Sequence, residues 1–123
     1  KKNNSKSLGY SKRLHHPIEY GNFFGKSEMF KFSECIVYRV KNSCEHFRLG
    51  ITLKAKGPSV QRNKTKRQIR EVFRNFGEKL GNYDYNVVIP SYKKLDKRFP
   101  DALRASLLKE ISNMFRQKKS HVV

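Results

Sequence analysis

The side chains best suited to chemistry in this chain are cations, and most of the informative ones stand in one short segment. Between Val60 and Arg74 lie Arg62, Lys64, Lys66, Arg67, Arg70 and Arg74, with Asn63 near the front and only Glu71 opposing them. At ~100° per residue, Ile69, Val72, Phe73 and Phe76 fall within an arc of about 100°, while Arg67, Arg70 and Arg74 fall within about 60° on another flank. A helix over roughly 59–76 can therefore pack one side on a core and hold a rigid row of guanidinium groups on the other. Each guanidinium forks two donors onto anionic oxygens, the geometry a phosphate presents. The helix start adds free backbone N–H groups that favour anions, and Lys54 and Lys56 lie just upstream. A solvated charged face beside a core stripe is the plain alternative. The scarcity of acids favours nucleic acid.

Other reactive residue types are scattered. Asp84, Asp96, Asp101 and the glutamates form no pair with the look of an acid/base or metal site, and Asp101 reads as a helix cap. His15, His16, His46 and His121 fall in expected loops or tails and read as solvent-exposed. Cys35 and Cys44 lie nine apart, without CxxC or paired histidines, which argues against zinc. Two reduced thiols in the cytoplasm are the default, and a disulfide between neighbouring strands is the alternative. Gly57-Pro58-Ser59 lacks the phosphate-loop pattern. No catalytic residue and no metal held by the protein alone is expected.

Composition agrees with the basic helix. The 123 residues carry 28 Lys+Arg against 10 Asp+Glu, for a net charge of +18. Such an excess opposes folding through self-repulsion, and a polyanionic partner is its simplest account. The length suits one domain. Nine Phe and six Tyr supply a small core. No apolar run approaches the ~20 residues of a membrane span. The start, Lys1-Lys2-Asn3-Asn4, has no signal-peptide pattern, and the missing Met points to a trimmed start.

The elements that must position these groups follow from periodicity. Residues 1–13 read as a flexible basic tail, 14–117 as a single domain that binds nucleic acid, RNA or DNA, and 118–123 as a second tail. Pro17 opens a short helix over 18–24, ended by Gly25, with Tyr20, Phe23 and Phe24 on one face. Residues 29–40 alternate as one long strand or two joined strands, with Phe30, Phe32, Ile36, Tyr38 and Val40 on one side. A strand over about 47–54 follows, with Phe47, Leu49, Ile51 and Leu53 together. Gly57-Pro58 breaks the pattern, and Ser59 is placed to cap the basic helix. Tyr85–Ile89 is a buried strand stopped by Pro90, residues 91–98 form a basic loop, and Asp101 caps a last helix. Its stripe is Leu103, Leu107, Ile111, Met114 and Phe115, and a polar tail starts at Gln117. This order predicts an α+β fold, a two-layer αβ sandwich with about four strands, three helices and one exposed sheet face. A strand–helix–strand return to the same sheet predicts a crossover through the basic helix.

Tyr20, Phe24, Phe30, Phe32 and Tyr38 concentrate in the first third of the chain. Singly, each reads as core. As a set beside a basic strip they also suit single-stranded nucleic acid, which stacks bases and tracks backbone. Both readings stay open on the residues alone.

Arg48-Leu49-Gly50-Ile51-Thr52-Leu53, then a Lys- and Gly-containing loop, then Ser59 through Glu71, resembles the protein subunit of bacterial ribonuclease P. That family carries an arginine–asparagine–arginine signature helix after an Arg-x-Gly-hydrophobic strand. Arg13-Leu14 with Glu19-Tyr20 and Phe24 is similar to its first helix, and Asn86-Val87-Val88-Ile89 to the strand after the signature helix. The resemblance implies a non-catalytic subunit of a ribonucleoprotein endoribonuclease. Its partner RNA removes the 5′ leader of precursor tRNA with magnesium held mainly by RNA. It implies that Lys54, Lys56, Arg62, Asn63, Lys64, Lys66, Arg67 and Arg70, continued by Arg74, lie against the catalytic RNA. It points to Tyr20, Phe24, Phe30, Phe32 and Tyr38 as the leader cleft, and implies a left-handed crossover. A cytoplasmic monomer with no membrane contact is expected. Three departures stand out. Lys64 replaces the second signature arginine and loses its planar fork. The loop 54–59 is one residue shorter than usual, and Tyr20 replaces Phe. A ribosomal or other structural RNA-binding protein fits size and charge equally well. A stand-alone nuclease lacks its carboxylate or histidine cluster, and a membrane-surface helix would need a broader apolar face.

Overall fold

The computed structural model describes residues 27–122, with side chains described through Phe115. The elements are β1 (Glu28–Lys31), β2 (Ile36–Lys41), β3 (Arg48–Leu53), α1 (Ser59–Phe76), a 3₁₀ turn (Gly77–Leu80), β4 (Tyr83–Ile89) and α2 (Phe99–Val122). The expected first helix over 18–24 lies outside the described residues, so two of the three expected α-helices are seen. The strands form one sheet in the order β1-β2-β4-β3. β1, β2 and β4 pair antiparallel, while β3 and β4 run parallel with α1 as the crossover between them.

The apolar stripe of α1 sets the core as periodicity requires. Ile69, Val72 and Phe73 are fully buried. Phe73 lies between Phe47, at 6.2 Å between ring centroids, and Tyr85, at 5.4 Å edge-on. Each such side chain contributes about 1.5–3 kcal/mol by leaving water. Thr65 is buried on the same helix because its hydroxyl donates back to the Gln61 carbonyl at 2.7 Å. α2 lies against α1, with Phe76 and Phe115 edge to face at 6.0 Å. Gly77 ends α1 with φ of 54°, and its N–H donates to the Phe73 carbonyl.

Local readings change at four places. Ser59 does not cap α1. Pro58 holds the extended N-cap position without a side-chain cap bond, and Ser59 is already helical. Asp101 does not cap α2 either. Asp96 Oδ1 accepts the Arg98 and Phe99 N–H groups, both at 3.0 Å, so the helix begins earlier and Asp101 sits exposed in its first turn. The backbone of α2 runs to Val122, past Gln117 where a tail was expected.

The fourth change concerns the aromatics. Residues 28–41 form a hairpin rather than one strand, closed by the Phe32 N–H on the Cys35 carbonyl at 2.9 Å. Phe30 therefore stands opposite Val37, and Met29 opposite Tyr38. Antiparallel partners share a face, so Phe30 points with Val37 to the helices and Tyr38 points away. The period of two held within β2 and reset at the turn.

Candidate nucleic-acid interface

The basic surface begins in the loop before α1. Lys54 continues the sheet, its N–H donating to the Ile89 carbonyl at 3.0 Å. Ala55 is buried, whereas Lys54 and Lys56 are exposed on either side of it. Gly57 passes so close to the loop after β4 that an ideal Cβ would lie 2.8 Å from Leu95 Cβ. Any side chain there would displace one of the two loops. Arg62 spans the corner. Its N–H donates to the Pro58 carbonyl at 3.0 Å, and Nη1 donates to the Ala55 carbonyl at 2.6 Å. One of the expected phosphate contacts thus has a donor committed to shaping the loop that carries two others.

Along α1, Asn63, Lys64 and Arg67 are exposed, and Lys66, Arg70 and Arg74 are half-buried. The first turn holds no acid. Glu71 is drawn to the second helix, where Arg104 Nη1 donates to Gln68 Oε1 at 3.1 Å and to Glu71 Oε1 at 3.4 Å. The only carboxylate of the segment is thereby neutralised from α2, leaving Lys54, Lys56, Asn63, Lys64 and Arg67 as one acid-free surface around the helix start.

The sheet face away from the helices is the second surface. Strand register places Met29, Tyr38, Asn86 and Gly50 in one row across all four strands. Ile36, Val88 and Thr52 form the row on one side of it, and Val40, Asp84 and Arg48 the row on the other. Thr52 Oγ1 donates to Asn86 Oδ1 at 3.2 Å, and the amide nitrogen of Asn86 has no partner among the described residues. Arg48 grips Asp84 with two bonds of 2.8 Å, and Asn42 Nδ2 adds a third at 2.8 Å to Asp84 Oδ1. Of the five expected cleft aromatics, this face holds Tyr38. Phe30 and Phe32 pack instead against the core and line a groove of about 330 Å³ with Glu110 and Met114. Tyr20 and Phe24 lie outside the described residues. Periodicity missed Asn86 and Gly50, whose place beside Tyr38 depends on pairing between distant strands.

Other groups read as scaffold. Arg39 enters the core face, 4.2 Å from the Tyr83 ring centroid and 5.2 Å from that of Phe30. Burial is the largest single influence and opposes its charge, but the interactions with Glu28 and Tyr85 together outweigh burial and raise its pKa. The Tyr85 hydroxyl, pushed up to about 12 mainly by burial, donates to the Leu80 carbonyl at 2.6 Å. Cys35 is also pushed to about 12, first by burial and then by Glu110 and Glu34, and so stays an inert thiol. Cys44 is free at the far end of β2, which removes the disulfide alternative. His46 is half-buried rather than exposed, with Nδ1 2.9 Å from the Phe47 carbonyl. Among the described residues no group of His, Cys, Asp or Glu could hold a metal ion, and no helix is long and apolar enough to cross a membrane.

The profile of the Ribonuclease P family matches residues 8–119. This chain belongs to that family. Among curated relatives, the ribonuclease P protein component of Thermotoga petrophila is 30% identical over 96 residues, covering 77% of this chain and 81% of that one. That of Mesoplasma florum is 36% identical over 73 residues, or 66% of its own length. That of Macrococcus caseolyticus is 49% identical over 55 residues, so the alignment spans about half its length (48%). Solved ribonuclease P proteins share the fold. The Staphylococcus aureus protein superposes with a TM-score of 0.64 at 27% identity, over 82% of this chain and 94% of that one. The Thermotoga maritima protein gives 0.63 at 30% identity, over 79% and 92%. Ribonuclease P proteins are subunits of a ribonucleoprotein endoribonuclease, and the match spans both α1 and the sheet.

Proposed function

We propose that this chain binds the catalytic RNA of ribonuclease P and the 5′ leader of precursor tRNA, and so promotes removal of the leader by that RNA. The acid-free surface of Lys54, Lys56, Asn63, Lys64 and Arg67 is the observation that carries this reading. Arg62, Lys66, Arg70 and Arg74 complete it along α1. The leader runs over the sheet face away from the helices, where Tyr38 offers a ring and Asn86 an amide donor, with Tyr20 and Phe24 as further stacking partners. Phe30 and Phe32 serve this cleft from behind, as packing. The protein supplies binding and charge, whereas magnesium, held mainly by the RNA, supplies the metal chemistry. The free protein is a cytoplasmic monomer. Family likeness also supports a left-handed crossover through α1 and a first helix over 18–24.

The deciding experiment is precursor-tRNA cleavage at low magnesium with a bacterial ribonuclease P RNA, with and without this protein. Strong stimulation that disappears when the RNA is omitted is expected. Folded protein that fails to stimulate an active RNA would move the chain to a structural RNA-binding role.

A further inference from the structure

The basic loop between β4 and α2, residues 91–98, has no part in the surfaces above, yet it is firmly held. Lys93 N–H closes a turn on the Pro90 carbonyl at 3.1 Å. Leu95 drops into the core. Asp96 is committed to the start of α2 through its two 3.0 Å bonds. Lys93 Nζ donates to the Ser33 carbonyl at 3.0 Å and pairs with Glu34 at 3.1 Å.

What the loop turns outward is of a different kind. Tyr92 is 79% exposed, and Lys93 Nζ stands 6.0 Å from its ring centroid. Lys94, Lys97 and Arg98 are exposed, and their side chains make no hydrogen bond or ion pair with a described residue. A lone exposed ring needs no explanation. A ring left bare among three such cations, on a loop with rigid anchors, has the two parts that unpaired nucleotides need: a stacking plane and phosphate partners. The place matters too, because Leu95 of this loop is the residue that abuts Gly57. Lys54 and Lys56 therefore lie just across that contact.

We infer that Tyr92, with Lys94, Lys97 and Arg98, binds an unpaired RNA nucleotide, stacking its base and holding the flanking phosphates, and so extends the RNA surface of α1. The inference rests on the function proposed above. The nucleotide belongs either to the catalytic RNA or to the leader of precursor tRNA, and two binding measurements separate these sources. The first follows full-length protein binding to a bacterial ribonuclease P RNA. The second follows precursor tRNA binding to the assembled ribonucleoprotein. Both are run at several salt concentrations.

Tyr92→Ala should weaken one of the two by roughly five- to 150-fold, the range for loss of one base–aromatic stack, without changing the salt slope. Tyr92→Phe should restore it. Lys94→Ala with Lys97→Ala should instead flatten the slope by roughly 0.7–0.9 for each charge. Unchanged thermal melting identifies these as surface effects. Loss in the first measurement assigns the base to the catalytic RNA, and loss in the second assigns it to the leader. If wild-type protein binds tightly and Tyr92→Ala matches it in both, this loop's role is overturned while the function stands. If wild-type protein binds neither RNA, both fall together.

Discussion

Two groups of cations among the described residues differ in what they face. Four in the scaffold are matched with an acid: Arg39 with Glu28, Arg48 with Asp84, Lys93 with Glu34 and Arg104 with Glu71. On the loop before α1 and along its first half, Lys54, Lys56, Lys64, Lys66 and Arg67 make no ion pair with a described residue. With ten acids for 28 bases, where the acids stand decides where charge is left over. Among the described residues, Glu28 and Asp84 are paired within the sheet, Glu34 with the loop after β4 and Glu71 between the helices, away from the surface of Lys54, Lys56, Lys64 and Arg67. Repulsion on that surface opposes folding, and a bound polyanion reverses the sign of that term.

Removing an acid from the scaffold group should have the largest effect on stability. The Asp84 side chain is 2% exposed and holds Arg48 in a two-bond pair. Asp84→Ala should cost about 3–5 kcal/mol in urea unfolding, because it strands a partly buried guanidinium. The salt slope of RNA binding should not move. A loss under about 1 kcal/mol, or a flatter slope, would erase the division between the groups.

Arg67→Ala should do the reverse. Stability should stay within about 0.5 kcal/mol, while the slope of log affinity against log salt falls by roughly 0.7–0.9. Arg62 straddles the groups, since it also shapes the loop through Ala55. Arg62→Gln should therefore weaken RNA binding less when Lys54 and Lys56 are already alanine, whereas Arg67→Ala should cost the same in either background. Equal losses for both arginines would return Arg62 to a simple phosphate contact.

The smallest effect expected is one of pH. Glu110 Oε2 accepts from Ser33 Oγ and Ser106 Oγ, both at 2.7 Å, and from Ser33 N–H at 3.1 Å, tying α2 to the β1–β2 turn. Burial alone would raise its pKa, but these bonds outweigh burial and lower it below the ordinary 4.5. A depressed carboxyl stabilises the fold above its unfolded value and loses that contribution as pH falls through its folded value. Wild type should thus exceed Glu110→Gln in melting temperature at neutral pH, and the gap should close below about pH 4.5. A gap that does not change with pH would show that the charge of Glu110 contributes nothing.

The sequence was most informative where one period ran undisturbed through one element. The stripe of Ile69, Val72, Phe73 and Phe76 and the alternation of Leu49, Ile51 and Leu53 both face the core as their spacing required. It misled where a local turn intervened. Nothing in the alternation of Phe30 to Val40 shows that the turn at 32–35 resets the faces, because that depends on which residues pair. The two caps failed for a related reason. Ser59 and Asp101 have the right chemistry, but Pro58 and Asp96 each stand at the position where the chain turns into the helix. Asn86 stayed hidden because its neighbours Tyr38 and Gly50 are remote in sequence.

The place of β4 between β2 and β3 has a consequence for how the protein is made. During synthesis the arginine-rich segment leaves the ribosome before Tyr83–Ile89, the strand that joins β3 to the rest of the sheet, and before Leu95, which Gly57 must meet. Until those residues emerge, the cationic helix has no seat, and its contacts are of the long-range kind that form late. The surface that meets a polyanion is thus among the last parts of the molecule to take shape, and a chain cut short before Leu95 carries the charge without the architecture.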